Sequence, residues 1–271
     1  MAHYIHGHHP SVLKSHSART IHNSAEYLVP HLRKGADVLD IGCGPGTITA
    51  GFPEFVGANA KVVGIEPEAA SAVLEQARRT VKDKDLRNVT FQTGAIHRLP
   101  FDPDSFDVVH VHQVLQHISD QVEAMQEMMR VLKPGGIVAA REAMFDSFMY
   151  FPELPGLARW LELYQKVARA NGGEPNAGKR LRAWARAAGF SDTGISVTCS
   201  TSVFATTEDC KWWGEMWAAR VVDSEFARTA VDKGLSTQDE LEALAQAWTE
   251  WSRHPDAWFA YMHGQLVATK E

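Results

Sequence analysis

Short apolar runs and longer stretches of helical spacing alternate along the chain, a pattern that predicts a doubly wound α/β fold around a mostly parallel sheet. The runs place strands at about 36–41, 61–65, 89–92, 106–111 and 136–141, with helices near 46–56, 68–82 and 119–132 between them. Ahead of the first strand, Ser17 to Leu32 reads as a helix whose apolar face is Ile21, Tyr27, Leu28 and Leu32 and whose exit is Gly35. After Glu142 the texture changes. Met144 to Pro152 is aromatic and irregular, and a helix near 154–171 ends at Gly172-Gly173. Leu181 to Phe190 has helical periodicity and a glycine stop, and Ile195 to Phe204, rich in β-branched residues, reads as a strand. Two helices follow at about 207–232 and 236–252, the second opened by a capping box from Ser236 to Asp239 or Glu240. Trp258 to Val267 closes the pattern as a seventh, antiparallel strand.

Candidate chemistry starts where the first strand ends. Val38-Leu39-Asp40-Ile41 runs into Gly42-Cys43-Gly44-Pro45-Gly46-Thr47, and Glu66 closes the next apolar run 20 residues after Gly46. Glycines let a ligand approach the backbone, and amides at the start of the following helix point at it. An acid at the end of the second strand lies where a ribose would be held. A dinucleotide site reads G-x-G-x-x-G, because a pyrophosphate must sit on the helix N-terminus. Here the spacing is G-x-G-x-G with Asp40 ahead of it, an acid that repels a phosphate and suits a cationic ligand. The reading favours S-adenosylmethionine over NAD.

With these residues and four further motifs in order, the chain resembles the class I S-adenosylmethionine-dependent methyltransferases, and within them the ubiquinone and menaquinone biosynthesis branch. Thr93 to Phe101 looks like that family's G-D-A-x-x-L-P-F, and Asp104 to Val109 like its D-x-S-F-D-x-V. Val114-Leu115-Gln116-His117-Ile118 resembles V-L-H-H followed by an apolar residue, and Arg130 to Gly136 resembles R-V-L-K-P-G-G. The resemblance covers about residues 19 to 142. It implies a Rossmann-like seven-stranded sheet with helical substrate-cap insertions. It also implies a cofactor held by Arg19, Asp40, Gly42, Cys43, Gly44, Gly46, Glu66, Pro67, Ala95, Ile96, Val111 and Gln113. Ala95 departs from the family, which has an Asp there to accept a hydrogen bond from the adenine amine. Adenine must then rely on the backbone of Ala95 and Ile96 or on His97, a change worth on the order of 1 kcal/mol if water substitutes.

Length and charge narrow the acceptor. At 271 residues the chain suits one α/β domain with an appended region. Its expected organisation is a lid segment at 1–34, a cofactor-binding core at 35–142, and substrate-side helical insertions at 143–180 and 206–252. A formal net charge of −6 and a pI near 6.1 argue against nucleic acid and for a small-molecule substrate. Cys43, Cys199 and Cys210 show no C-x-x-C spacing, which fits a reducing compartment without a structural zinc site, and Cys43 reads as a small packing residue. The polar N-terminus and the lack of a long apolar run predict a cytoplasmic protein with no membrane insertion. The histidines of the first nine residues have no accompanying acid or cysteine and are expected to form a mobile end, not a metal site.

A sulfonium carries an activated methyl group, so transfer needs mainly alignment, worth about 7–11 kcal/mol when good. An acceptor that loses a proton also needs a base. His110, His112 and His117 follow the fourth strand, and alternation puts His110 and His112 on one face. His112 and His117 are the catalytic candidates, His117 with a competing packing role and His110 as a structural residue. Arg19 is the candidate clamp for the methionine carboxylate, with Thr20, Asn23 and Ser24 beside it and Tyr4 as a further lid residue. Trp212, Trp213, Trp217, Trp248 and Trp251 are expected to fill the core between helices, with one or two reaching the pocket. The expected function is methyl transfer to an O, N, S or C atom of a small acceptor, quinone-like or a specialised metabolite. A nicotinamide oxidoreductase and a non-catalytic regulator of the same fold are the alternatives.

Overall fold

The computed structural model describes residues 15–271, so Tyr4 and the opening histidines lie outside the described residues. Its centre is a sheet of eight strands: β1 Val38–Ile41, β2 Val62–Glu66, β3 Val89–Thr93, β4 Phe106–His112, β5 Leu132–Ala143, β6 Met149–Phe151, β7 Ile195–Phe204 and β8 Trp258–Thr269. β3, β2, β1, β4 and β5 lie side by side and parallel. β8 runs antiparallel between β5 and β7, and its first three residues also pair β6. The expected seven-stranded, mostly parallel sheet is present. β6 is an addition from the aromatic segment that sequence periodicity left irregular.

β1, β2 and β4 are buried on both faces, which is why they read as near-continuous apolar runs, whereas the edge strand β3 exposes Thr90 and Gln92 on one face. One face packs Leu39, Val109, Val111 and Leu266 against the helices Gln121–Val131 and Leu181–Ala188. The other packs Val38, Val62 and Val108 against Phe52, Leu28 and Leu74. A third, aromatic core joins Trp160, Tyr164, Trp217, Phe226, Trp248 and Trp251 from the helices Pro155–Ala170, Thr207–Asp223, Glu225–Asp232 and Gln238–Ser252. This cap sits over the β6 and β8 end of the sheet, where Phe259 packs into it.

Several boundaries differ from the periodicity, each for a local reason. The helix expected over Ser17 to Leu32 is broken into Ile21–Ser24 and a 3-10 turn, Glu26–His31, because Thr20 starts a new helix with a capping box to Asn23 and Ala25 leaves helical geometry. The helix expected at 46–56 is a turn as far as Ile48, then a 3-10 turn, Thr49–Gly51, and a short helix, Phe52–Val56. The span 207–232 divides at Ser224, whose hydroxyl accepts the Phe226 amide and donates to the Arg220 carbonyl. The last helix is capped by Thr237 with Glu240, not by Ser236. Among the described residues no helix is long and apolar enough to cross a membrane.

Sheet order reverses at β1 and β4, the position where open α/β folds bind ligands beyond the carboxyl ends of their strands. β1 leaves there into the glycine turn, and β4 leaves into His112-Gln113. Register completes the arrangement: Asp40 pairs His110, His112 pairs Arg141, Arg141 pairs Gln265 and Gln265 pairs Thr198. A polar row therefore crosses four strands on one face.

Candidate active site

Gly42, Gly44 and Gly46 all take positive φ, at 68°, 54° and 74°. A β-carbon at Gly42 would come within 2.4 Å of Val114, and one at Gly46 within 2.8 Å of the Phe91 ring. Packing as well as backbone geometry therefore demands glycine at those two. Gly44 differs, because a β-carbon there would meet nothing nearer than His16 Nδ1 at 4.0 Å. Its amide donates to Glu66 Oε1 at 2.5 Å. The other Glu66 oxygen has no partner among the described residues. An open backbone face beside a half-satisfied carboxylate fits a ribose, one oxygen anchoring the turn and the other accepting a hydroxyl.

Burial pushes the Glu66 carboxyl up to about 7, against the pull of the Gly44 amide and with a further push from Asp40. The ionised form is the better acceptor. S-adenosylhomocysteine should therefore bind fully above about pH 7 and progressively less tightly as the pH falls below it. Calorimetric titration across that range should show the slope in the wild type and lose it in Glu66→Gln. Glu66→Ala should weaken binding by about 1.5–3 kcal/mol. Unchanged affinity in folded Glu66→Ala would remove the residue from the site.

Two sequence expectations change here. Asp40 is not presented to a ligand: it is 2% exposed, and its oxygens accept from Thr49 Oγ1 at 2.6 Å and His110 Nδ1 at 2.7 Å. It ties β1 to β4 and to the segment after the turn, and His110 is its buried partner, stacked edge-on against Phe52. The helix expected to present amides to the ligand does not begin at Gly46, so the turn itself supplies the cradle. Cys43 is buried with its thiol pushed up by desolvation and by the charges of Glu66 and Asp40, which leaves it protonated and inert as a nucleophile. Ala95 and Pro67 are exposed, while Ile96 is buried. Val111 points to the opposite face of β4, into the core. His97 Nε2 lies 2.9 Å from the Ser119 carbonyl, so that nitrogen is taken.

Beyond the strand ends lies a cavity of about 870 Å³. Residues 15–24 form one side. Arg19 Nη2 donates to Gln113 Oε1 at 2.6 Å, and Thr47 Oγ1 donates to the His16 carbonyl at 3.4 Å, so this segment touches both the glycine turn and the cavity. Gln113 is held at φ 55°, an uncommon conformation for its type, and its side chain also reaches His263 Nε2 at 3.1 Å. His112 and His117 both line the cavity. His112 is 6% exposed and its Nδ1 has no hydrogen-bond partner among the described residues. Burial, then the charges of Arg19 and Arg141, hold its pKa well below the usual histidine range, so it is neutral. His117 is held at about 3, by burial and then by Arg19 and Arg220. The far wall is aromatic, with Phe145, Phe148 and Tyr261 beside Trp212, Trp213 and Trp217. Three of the five tryptophans reach the cavity, one more than the upper expectation, and Trp248 and Trp251 remain in the core.

Sequence reasoning missed Tyr27, Arg141, Glu142, Tyr261 and His263. Tyr27 was assigned to an apolar helix face, yet its hydroxyl is shut from solvent without a partner among the described residues, and the residue lines the cavity. The adjacent charges Arg141-Glu142 inside an otherwise apolar strand were the available signal, since such pairs survive burial only with partners.

The model of the family described as "Methyltransferase domain" matches residues 32–175. The Schizosaccharomyces pombe protein named Uncharacterized methyltransferase C1B3.06c is 35% identical over 274 residues, covering 99% of this chain and 96% of its own. Demethylmenaquinone methyltransferase of Lactococcus lactis is 36% identical over 132 residues, 49% of each chain. The solved YcgJ protein of Bacillus subtilis superposes with a TM-score of 0.62 at 20% identity, covering 92% of this chain and 99% of that one, a likeness of fold alone. A glycine turn facing Glu66, a match over more than half the chain and a full-length relative agree: this chain belongs to the methyltransferase-domain family and is an S-adenosylmethionine-dependent methyltransferase.

Proposed function

We propose that the acceptor is a small molecule seated in the cavity between the lid segment and the aromatic wall, and that it is methylated at an O, N, S or C atom beside His112. The observation that carries this reading is the position of His112, on the cavity wall at the end of β4 beside β1, with no hydrogen-bond partner at either ring nitrogen among the described residues and only Nδ1 shut from solvent. When bound, S-adenosylmethionine supplies a methyl group activated by a sulfonium. The chain supplies the rest. Glu66 and the Gly44 turn hold the nucleoside, and Arg19 stands where residues 15–24 meet the cavity, placed to pair with the methionine carboxylate. The aromatic wall offers apolar contact to a ring, and neutral His112 offers a lone pair to an acceptor proton.

The lid role of residues 1–34 and the substrate-side role of 143–180 and 206–252 belong to this proposal. It is supported by Ser15, Arg19, Phe145, Phe148, Trp213 and Trp217 meeting at one cavity. Quinone-like acceptors fit its aromatic lining, and cytoplasmic specialised metabolism is the setting we propose. The test is transfer of label from S-adenosylmethionine to small molecules in a metabolite extract, resolved by mass spectrometry. Label in no small molecule, with S-adenosylhomocysteine still bound, would favour a non-catalytic role.

A further inference from the structure

The cavity wall built by β5, β8 and β7 has more hydrogen-bond donors than acceptors. Arg141 is 4% exposed. Its Nη2 donates to His263 Nδ1 at 3.0 Å and its Nε to Ser200 Oγ at 3.2 Å; the rest of its fork has no partner among the described residues. No carboxylate among them lies within salt-bridge distance. Glu142, its neighbour in the chain, projects from the other face of β5 and is taken by the amides of Val114, Leu115 and Gln116.

The shortage extends along the row. Gln113 is oriented by Arg19 on its Oε1, which turns its Nε2 toward His263 Nε2. A neutral imidazole accepts at one nitrogen only, so Arg141 and Gln113 compete for a single lone pair. Ser200 Oγ already receives Gln265 Nε2 at 2.8 Å, and Gln265 Oε1 is taken by the Thr198 hydroxyl at 2.9 Å. Acidic residues on the cavity wall do not relieve it: Glu26 is exposed, and Asp209 caps the helix that begins at Thr207. A buried guanidinium without a counter-ion is costly, and the planar anion that matches its fork is a carboxylate.

Resting on the methyl-transfer reading above, we propose that the acceptor is an aromatic carboxylic acid whose carboxylate docks on Arg141 while its ring lies against the aromatic wall of the cavity. Arg141 is then a specificity-determining residue. Its register partner His112 on the neighbouring strand sets the reacting atom within a short distance of the docked acid.

The three cavity-wall tryptophans provide the readout. The full chain, saturated with S-adenosylhomocysteine, is titrated by tryptophan fluorescence with 4-hydroxybenzoate and, separately, with its methyl ester. The acid is expected to bind at least about tenfold more tightly than the ester, a preference that should vanish in Arg141→Met and be only partly kept in Arg141→Lys, a charge without the fork. Affinity for S-adenosylhomocysteine should be unchanged in both variants. Equal binding of acid and ester, binding of neither, or a preference surviving Arg141→Met overturns the proposal. Loss of S-adenosylhomocysteine binding in folded Arg141→Met also overturns it, by assigning the guanidinium to the cofactor's own carboxylate. Should Arg141→Met not fold, an undiminished preference in Arg141→Lys overturns it. Failure of the wild type to bind S-adenosylhomocysteine would instead bring down the cofactor reading, a separate result seen before any acid is added.

Discussion

Replacing His112 by alanine is expected to lower kcat by about 10²–10⁴-fold for an acceptor that loses a proton, with S-adenosylhomocysteine affinity unchanged. The residue is almost wholly buried, lines the cavity and has no hydrogen-bond partner at either ring nitrogen among the described residues. Burial disfavours its cation, and Arg19 and Arg141 disfavour it further. A histidine whose pKa lies well below the usual range does not take up a proton as pH falls from about 8 to about 6, so this base should impose no acid limb on kcat over that range. Steady-state kinetics of the two proteins separate the roles. A rise in KM at unchanged kcat would mean that His112 only orients the acceptor, and wild-type kinetics would remove it from the mechanism.

Glu142→Ala should destabilise the fold by at least about 3 kcal/mol, because it strands three backbone donors beneath the surface at about 1 kcal/mol or more apiece. The amides of Val114, Leu115 and Gln116 donate to its oxygens at 2.9, 2.8 and 3.2 Å. No other carboxylate reaches them among the described residues. Urea unfolding should show the lower midpoint, and Glu142→Gln, which keeps one carbonyl oxygen, should recover part of it. Burial raises the folded pKa of Glu142 from 4.5 to about 7, outweighing the pull of the three amides. The folded chain then holds a proton that the unfolded chain has released, so this contribution is greatest below that window and declines as pH rises through it. The decline should be weaker in Glu142→Gln. A Glu142→Ala protein as stable as the wild type would show that water replaces the carboxylate.

The same segment shows how far a linear reading reaches. His112 and Gln113 were legible as residues leaving a central strand, because strand period and the position after β4 are local properties. That His112 would stand beside Arg141 was not, since it depends on the register of β4 against β5, and that Arg141 would stand beside Gln265 depends on β8 inserting antiparallel between β5 and β7. Asp40 illustrates the opposite error. Its place before the glycines suggested a ligand contact, but β1 and β4 pair in a register that sets it against His110 inside the core.

By itself the sequence determined the parallel half of the sheet, the glycine turn with its answering acid, and hence the cofactor. Period-two apolar runs, positive-φ glycines and an acid at a strand end are short-range signals, each fixed within a few residues of its own position. Helix breaks were only partly visible, because Ser236 and Thr237 are equivalent as caps until packing chooses between them. The acceptor cavity was decided by tertiary structure alone. Its wall is assembled from residues as far apart as Arg19, His112, Arg141, Trp217 and His263, and a donor surplus exists only once strand register has brought them to one face, where no carboxylate among the described residues pairs with the Arg141 guanidinium.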